Sequence, residues 1–241
     1  MSTGVDVDPA TPVAIVLAAG TGSRMGADRP KQLLDLAGRP VLVHAVERHV
    51  ERGDHVVLVA GRSIRAEVDE VLARHLPEAG VVVVVGGDSR RDSFLAGVDA
   101  VPASTGERTG VIVQNAASPN TPPELVAACL ARLADADGAQ AYLATQLTTF
   151  THADGELRRL HDRERTGATA DPTVYRRSLL DRIAATLRAE GERSTGTTLD
   201  VARRLGARIA VVESPPDNVK VTTPGDLERV ARAMAGRRPA P

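Results

Sequence analysis

Only two of the 30 basic residues are lysines, and both stand in segments that could carry chemistry. The first closes a glycine-rich run, Leu17-Ala-Ala-Gly-Thr-Gly-Ser-Arg-Met-Gly-Ala-Asp-Arg-Pro-Lys31. The second, Lys220, lies in Asp217-Asn-Val-Lys-Val-Thr-Thr-Pro224. Gly20 and Gly22 let the backbone turn sharply and approach a ligand. Amides of such a loop donate to phosphate oxygens, while Arg24 and Lys31 add a planar fork and a compact point charge to it. The set suits a polyphosphate. A chain that otherwise uses arginine keeps lysine where an ammonium does what a guanidinium cannot.

The loop matches neither of two familiar phosphate motifs. The dinucleotide fingerprint needs glycine where Met25 stands, and a P-loop needs Gly-Lys-Ser/Thr where the chain reads Arg-Pro-Lys31-Gln32. No acid follows the second apolar strand, which ends in Ala60-Gly61-Arg62, so a dinucleotide-dependent oxidoreductase is disfavoured.

The run from Leu17 to Lys31 resembles the signature L-A-A-G-x-G-x-R-M-x-x-x-x-P-K of nucleotidyltransferases that activate sugar or polyol phosphates. Within these it is most similar to the 2-C-methyl-D-erythritol 4-phosphate cytidylyltransferases of the non-mevalonate isoprenoid route. Three more segments keep the family's order: Gly86-Gly-Asp-Ser-Arg-Arg-Asp-Ser93, Val111-Ile-Val-Gln-Asn-Ala-Ala-Ser-Pro119 and Asp217 to Pro224. The resemblance implies transfer of CMP from CTP to a polyol or sugar phosphate, with release of pyrophosphate. It places Arg24, Lys31 and Lys220 on the triphosphate and the reacting centre. It places Ala18, Ala19, Gly20, Gly22, Gly87 and Ser93 around the nucleotide. It also implies a magnesium ion at position 115, a homodimer formed through a projecting arm, and Arg163 of that arm at the acceptor.

The chain departs from the family on the metal and acceptor side. Asn115 stands where the H-D-A-A-R-P signature has aspartate, and a neutral amide oxygen is a weaker ligand for a hard dication. Ser118 replaces an arginine used on the acceptor's phosphate, and Gln114 replaces the histidine. A threonine-aspartate segment reads Thr195-Gly-Thr-Thr198, without the acid. Two readings follow: a cytidylyltransferase with a different or loosely held acceptor, of which the standard methylerythritol phosphate activity with a tolerated Asn115 is a variant, or a catalytically impaired relative that binds nucleotide as a binding or regulatory protein. For the enzyme no general base is required, because a phosphate monoester with a second pKa of about 6 is largely ionised at neutral pH. Catalysis then rests on alignment and charge stabilisation.

These residues need a scaffold. Apolar strands at Val13 to Leu17, His55 to Ala60, Val81 to Val85 and Val111 to Gln114 alternate with helical patterns. The helices fall near Val41 to Arg52, Ile64 to His75, Ser93 to Ala100 and Pro122 to Ala136, with a last one at Leu227 to Met234 after a cap, Thr222-Thr-Pro-Gly-Asp226. The alternation predicts one Rossmann-like α/β domain with a mostly parallel sheet over residues 12–236, following a loose stretch at 1–11. Residues 144–171 break the rhythm and read as a projecting β-arm.

The 241 residues and formal net charge of −1 indicate a core that needs no staples and no nucleic-acid or membrane partner. Cys129 reads as a small buried hydrophobe, and the six histidines show no metal-ligand spacing. Without an apolar run long enough to span a bilayer or a leader-like start, a cytoplasmic protein is expected.

Overall fold

The computed structural model describes residues 8–20, 29–191 and 196–236. Its centre is a strand without polar side chains, β1 (Val13–Ala18), whose residues are almost wholly buried. Successive side chains of a strand point to opposite faces. Val13 and Ile15 therefore join one core layer, while Val16 and Ala18 join another on the far face. Such a strand is stable only in a sheet covered on both sides.

A short antiparallel pair, β2 (Asp35–Leu36) with β3 (Arg39–Pro40), stands apart from the main sheet. Around β1 lie β4 (His55–Ala60), β5 (Val82–Val85), β6 (Gly110–Asn115), β7 (Gly138–Ala144), β10 (Gly167–Arg176) and β11 (Ile209–Glu213). They form one seven-stranded sheet in the order β11-β7-β10-β6-β1-β4-β5. Only β10 runs against its neighbours, so the sheet is mostly parallel as expected. Helices α1 (Val41–Arg52) and α2 (Arg65–His75) cover one face. Helices α3 (Arg90–Asp99), α5 (Arg177–Glu190) and α6 (Thr198–Arg204) cover the other. Helix α4 (Pro123–Ala131) packs on β6, β7 and β10, and α7 (Pro224–Gly236) closes a small cluster built on Leu36, Val41, Ala117, Val221 and Val230.

Several boundaries differ from the sequence expectation, each for a local reason. Helix α3 begins at Arg90, because Ser89 accepts a hydrogen bond from the Asp92 amide and caps it. Helix α4 stops at Ala131 and tightens into a 3-10 turn, Arg132–Ala134. The segment Thr222 to Asp226 caps α7 as expected, but the helix starts at Pro224, inside that segment.

The break in rhythm is a hairpin, β8 (Phe150–Ala153) with β9 (Glu156–Leu160). Its turn residues Asp154 and Gly155 have φ of 53° and 78°, the pairing that a two-residue hairpin turn requires. Strand β7 leads out to the arm and antiparallel β10 leads back, so no crossover helix is needed. The strands β7, β10 and β11 and the helices α5 and α6 were not anticipated from the sequence.

Helix α3 approaches β1 and β4 closely through Gly97, where an added Cβ would lie 2.5 Å from Ile15 Cγ2 and 3.0 Å from Val59 Cγ2. Gly97→Ala should therefore destabilise the domain by about 1–3 kcal/mol through overpacking. Urea unfolding measures this; an unchanged midpoint would mean that the helix shifts outward without penalty.

Candidate active site

Open parallel sheets bind ligands beyond the carboxyl ends of their strands. Here β1, β5 and β6 end around two adjoining cavities. The smaller, about 280 Å³, is lined by Ala18, Ala19, Gly20, Lys31, Gly87 and Ser93, with Asn115 and Lys220. The larger, about 700 Å³, lies between the β6 end, the base of the arm and the start of α6. Leu17, Ser89, Arg90, Asn115 and Lys220 line both. Two expected nucleotide-loop residues, Gly22 and Arg24, lie outside the described residues, as does Thr195.

A residue not singled out from the sequence holds the end of β1. Gln32 is buried, and its Nε2 donates to the carbonyls of Ala18 at 2.6 Å and Gly20 at 3.1 Å. One amide thus uses both hydrogens to set the exit of the chain from the strand. Its only sequence signal was its place directly after Lys31. Lys31 Nζ donates to the carbonyl of Val221 at 3.0 Å, which brings the glycine loop's lysine to the segment that carries Lys220. Val221 is wholly buried, and its amide donates to the carbonyl of Ala117 at 2.7 Å.

That segment is fastened by Asp226. Its Oδ2 accepts from the Thr222 amide at 2.9 Å, the Thr222 hydroxyl at 2.6 Å and the Thr223 amide at 2.8 Å. Burial pushes the Asp226 carboxyl up, but the hydrogen bonds from Thr222 and Thr223 outweigh it and hold the group below the usual range. The apparent cap of α7 therefore also positions a lysine.

On the facing side, β5 runs into α3 through Gly86 and Gly87. An added Cβ on Gly86 would meet Ser93 Oγ at 2.7 Å and Ala19 Cβ at 2.8 Å; on Gly87 it would meet Asp92 Cβ at 2.4 Å. Ser93 Oγ donates to the Gly87 carbonyl at 3.2 Å. The start of α3 thereby lies at the cavity wall, where helix amides and the dipole favour an anion. Asp92 serves the cap, its carboxyl held low by hydrogen bonds from Ser89 and Arg91.

At the junction of the cavities, Asn115 Oδ1 accepts from Arg90 Nη1 at 2.9 Å. Its Nδ2 donates to both carboxylate oxygens of Asp171, each at 2.9 Å. Asp171 also accepts from the Ser118 hydroxyl. Ser118 is buried and lines neither cavity; it touches the site through Asp171. Gln114 points inward, its Nε2 donating to the Ser118 carbonyl at 3.1 Å and its Oε1 facing His49 Nε2 at 3.1 Å, while His49 Nδ1 meets Asp54 at 2.8 Å. Arg163 sits in an exposed turn of the arm and lines neither cavity of its own chain.

Thr197 and Thr198 line the larger cavity. The acid absent from that motif stands at Asp200 instead, where it closes a capping box with Thr197. The Tyr175 hydroxyl donates to Thr198 Oγ1 at 3.0 Å, and burial pushes this phenol up to about 12. Burial likewise pushes the Cys129 thiol up to about 12, in keeping with a small hydrophobe rather than a nucleophile.

Among the described residues no three His, Cys, Asp or Glu side chains gather as a metal cage. The oxygen donor at the junction is Asn115 Oδ1, which accepts from Arg90, and the Asp171 carboxylate stands behind it on the nitrogen side of the amide. Magnesium is commonly held by few protein oxygens together with substrate phosphates, so one amide oxygen backed by a carboxylate fits it.

Two outcomes are expected. Gly86→Ala should push Ser93 and Ala19 apart and weaken nucleotide binding by roughly tenfold, about 1.4 kcal/mol, as measured by calorimetry; unaltered binding would separate this turn from the ligand. Because the Asp226 carboxyl is held low, its contribution is present at neutral pH and is lost as pH falls through its folded-state value. Asp226→Asn should therefore flatten part of the acid limb of a stability–pH profile, and an unchanged limb would contradict that role.

The match to the family model described as 2-C-methyl-D-erythritol 4-phosphate cytidylyltransferase, IspD, spans residues 13–236. A protein of that name from Cereibacter sphaeroides is 34% identical over 227 residues, covering 93% of this chain and 97% of the relative. Another from Ectopseudomonas mendocina is 33% identical, covering 92% of this chain and 95% of the relative. The crystal structure of 4-diphosphocytidyl-2C-methyl-D-erythritol synthase from Anaerococcus prevotii has the same fold, with a TM-score of 0.80 at 20% identity, covering 95% of this chain and all of that one. A glycine loop, a capped helix start and two lysines gathered at one sheet edge, together with this match over most of the chain, establish that the protein belongs to the 2-C-methyl-D-erythritol 4-phosphate cytidylyltransferase family.

Proposed function

We propose that this chain transfers CMP from CTP to 2-C-methyl-D-erythritol 4-phosphate and releases pyrophosphate. The observation that carries this reading is the pair of adjoining cavities with Asn115, Arg90 and Lys220 on their shared wall. The smaller cavity, with its backbone amides, the start of α3 and Lys31, takes the nucleotide. The larger takes the acceptor, whose phosphate oxygen meets the α-phosphorus at the junction.

The acceptor phosphate is already largely ionised at neutral pH, so the protein has no proton to remove. Its task is to hold two anions in line and to offset the charge that develops as pyrophosphate leaves. Lys31 and Lys220 supply compact positive charge from two segments tied together, and Arg90 supplies it from the other wall. Arg24, in the same glycine loop, completes this set by resemblance. A magnesium ion held by the Asn115 oxygen and the phosphates would neutralise part of the triphosphate charge.

A homodimer through the arm is part of the proposal. Leu147, Phe150, Leu157 and Leu160 are 76%, 53%, 55% and 60% exposed, and all lie on or beside the hairpin. Apolar side chains clustered on one projection suit burial against a partner. Pairing would carry Arg163 to the partner's larger cavity. No helix among the described residues is long and apolar enough to cross a membrane.

Pyrophosphate release with CTP, magnesium and methylerythritol phosphate tests the activity; turnover only with another polyol phosphate would reassign the acceptor. Lys31→Ala should lower CTP affinity by roughly tenfold to a hundredfold, about 1.5–3 kcal/mol for lost hydrogen bonds to a charged group. Calorimetry decides, and unchanged affinity would remove Lys31 from the triphosphate. Phe150→Asp should shift sedimentation toward monomer, and an unaffected dimer would place the interface elsewhere.

A further inference from the structure

Asp171 is the only carboxylate among the described residues that line the larger cavity. It sits where the β10–β7 register shifts between Thr169 and Thr173, an irregularity of the kind that re-aims side chains. Its carbonyl is pinned by Asn218 Nδ2 at 2.6 Å. Its carboxylate reaches the end of β6, where Asn115 presents both its backbone amide, at 3.3 Å, and its side-chain Nδ2. A carboxylate can only accept, so the Asn115 amide must turn its hydrogens toward Asp171. Its oxygen must then face the other way, toward Arg90 and the shared wall of the cavities.

We propose that Asp171 is a positioning residue that makes Asn115 an anion-backed oxygen ligand at the junction, a step that rests on the nucleotidyl-transfer reading above. A carboxylate drawing on the amide hydrogens polarises the amide and leaves its oxygen more negative, as hydrogen-bond chains reinforce one another. Groups behind a metal ligand fix its orientation and raise its basicity in this manner. The negative charge at the site thus stands on β10 rather than on β6, one hydrogen bond behind the oxygen that faces the phosphates. The pair works as a unit, with the amide giving the contact and Asp171 giving the charge. Ser118 belongs to the same unit, because its hydroxyl spends its hydrogen on Asp171.

The test compares the parent, Asp171→Asn, and the transposed variant Asn115→Asp with Asp171→Asn. Manganese affinity of the CTP complex is read by electron paramagnetic resonance, and fold and stability are checked by circular dichroism and thermal melting. Asp171→Asn preserves shape but removes the charge, and should weaken manganese binding by about tenfold, with kcat falling more than the KM for CTP changes. Transposition returns a carboxylate to the junction with an amide behind it, and should recover most of that loss. Parent-like manganese affinity in Asp171→Asn, or no recovery in the transposed variant, would overturn the proposal. A merely structural role would change the melting temperature and leave manganese affinity alone. Should Asp171→Asn fail to fold, affinity in the transposed variant close to the parent's is expected, and a tenfold weaker value overturns the proposal. If the parent itself does not bind CTP, the nucleotidyl-transfer reading falls and takes this inference with it; CTP binding with unchanged manganese affinity removes the inference alone.

Discussion

The contact from Lys31 to the Val221 carbonyl joins residues 190 positions apart, and the site exists only where that closure is made. Neither segment is a strand or a helix of the main sheet. Each is held from behind, the first by Gln32 on the end of β1 and the second by Val221 in a small apolar cluster with α7. Burial of the valine and the carboxylate clasp on Thr222 and Thr223 provide the free energy that holds a lysine-bearing segment beside another lysine.

The opposite wall follows a different logic. Gly86 and Gly87 leave out side chains so that the start of α3 can come against Ala19, and the helix cap keeps its amides directed at the cavity. Positive potential is thereby delivered as partial charges fixed in a rigid element, which need no rearrangement when a ligand arrives. The two walls are complementary, one presenting full charges on side chains and the other backbone dipoles.

Much of this was legible in the chain. The apolar strands β1, β4, β5 and β6 are continuous hydrophobic runs, so their period and length identify them directly, and the glycine loop and lysines fall where those strands end. Less legible was the second half of the sheet. Strand β10 carries Thr169, Asp171, Pro172 and Thr173 in its middle, a composition that resembles a loop because its pairing is interrupted there. Helix α6 is short and depends on a capping box rather than a long apolar stripe. Asp171 was hidden for the same reason. Its relation to Asn115 spans 56 residues and arises only from the antiparallel pairing of β10 with β6. Linear spacing showed an acid missing from one motif and gave no sign of another waiting across the sheet.

The reversed strand has a mechanical consequence. From Gly167 to Arg176, β10 passes from the base of the arm into the middle of the sheet, with Asp171 between. Arm and cavity wall are two ends of one ribbon. A force that tilts the hairpin reaches β10 through the 3-10 turn Arg163–Arg165 and is carried along that strand to the side chain that orients Asn115. Assembly at the arm and alignment at the phosphates would then be settled by a single piece of backbone.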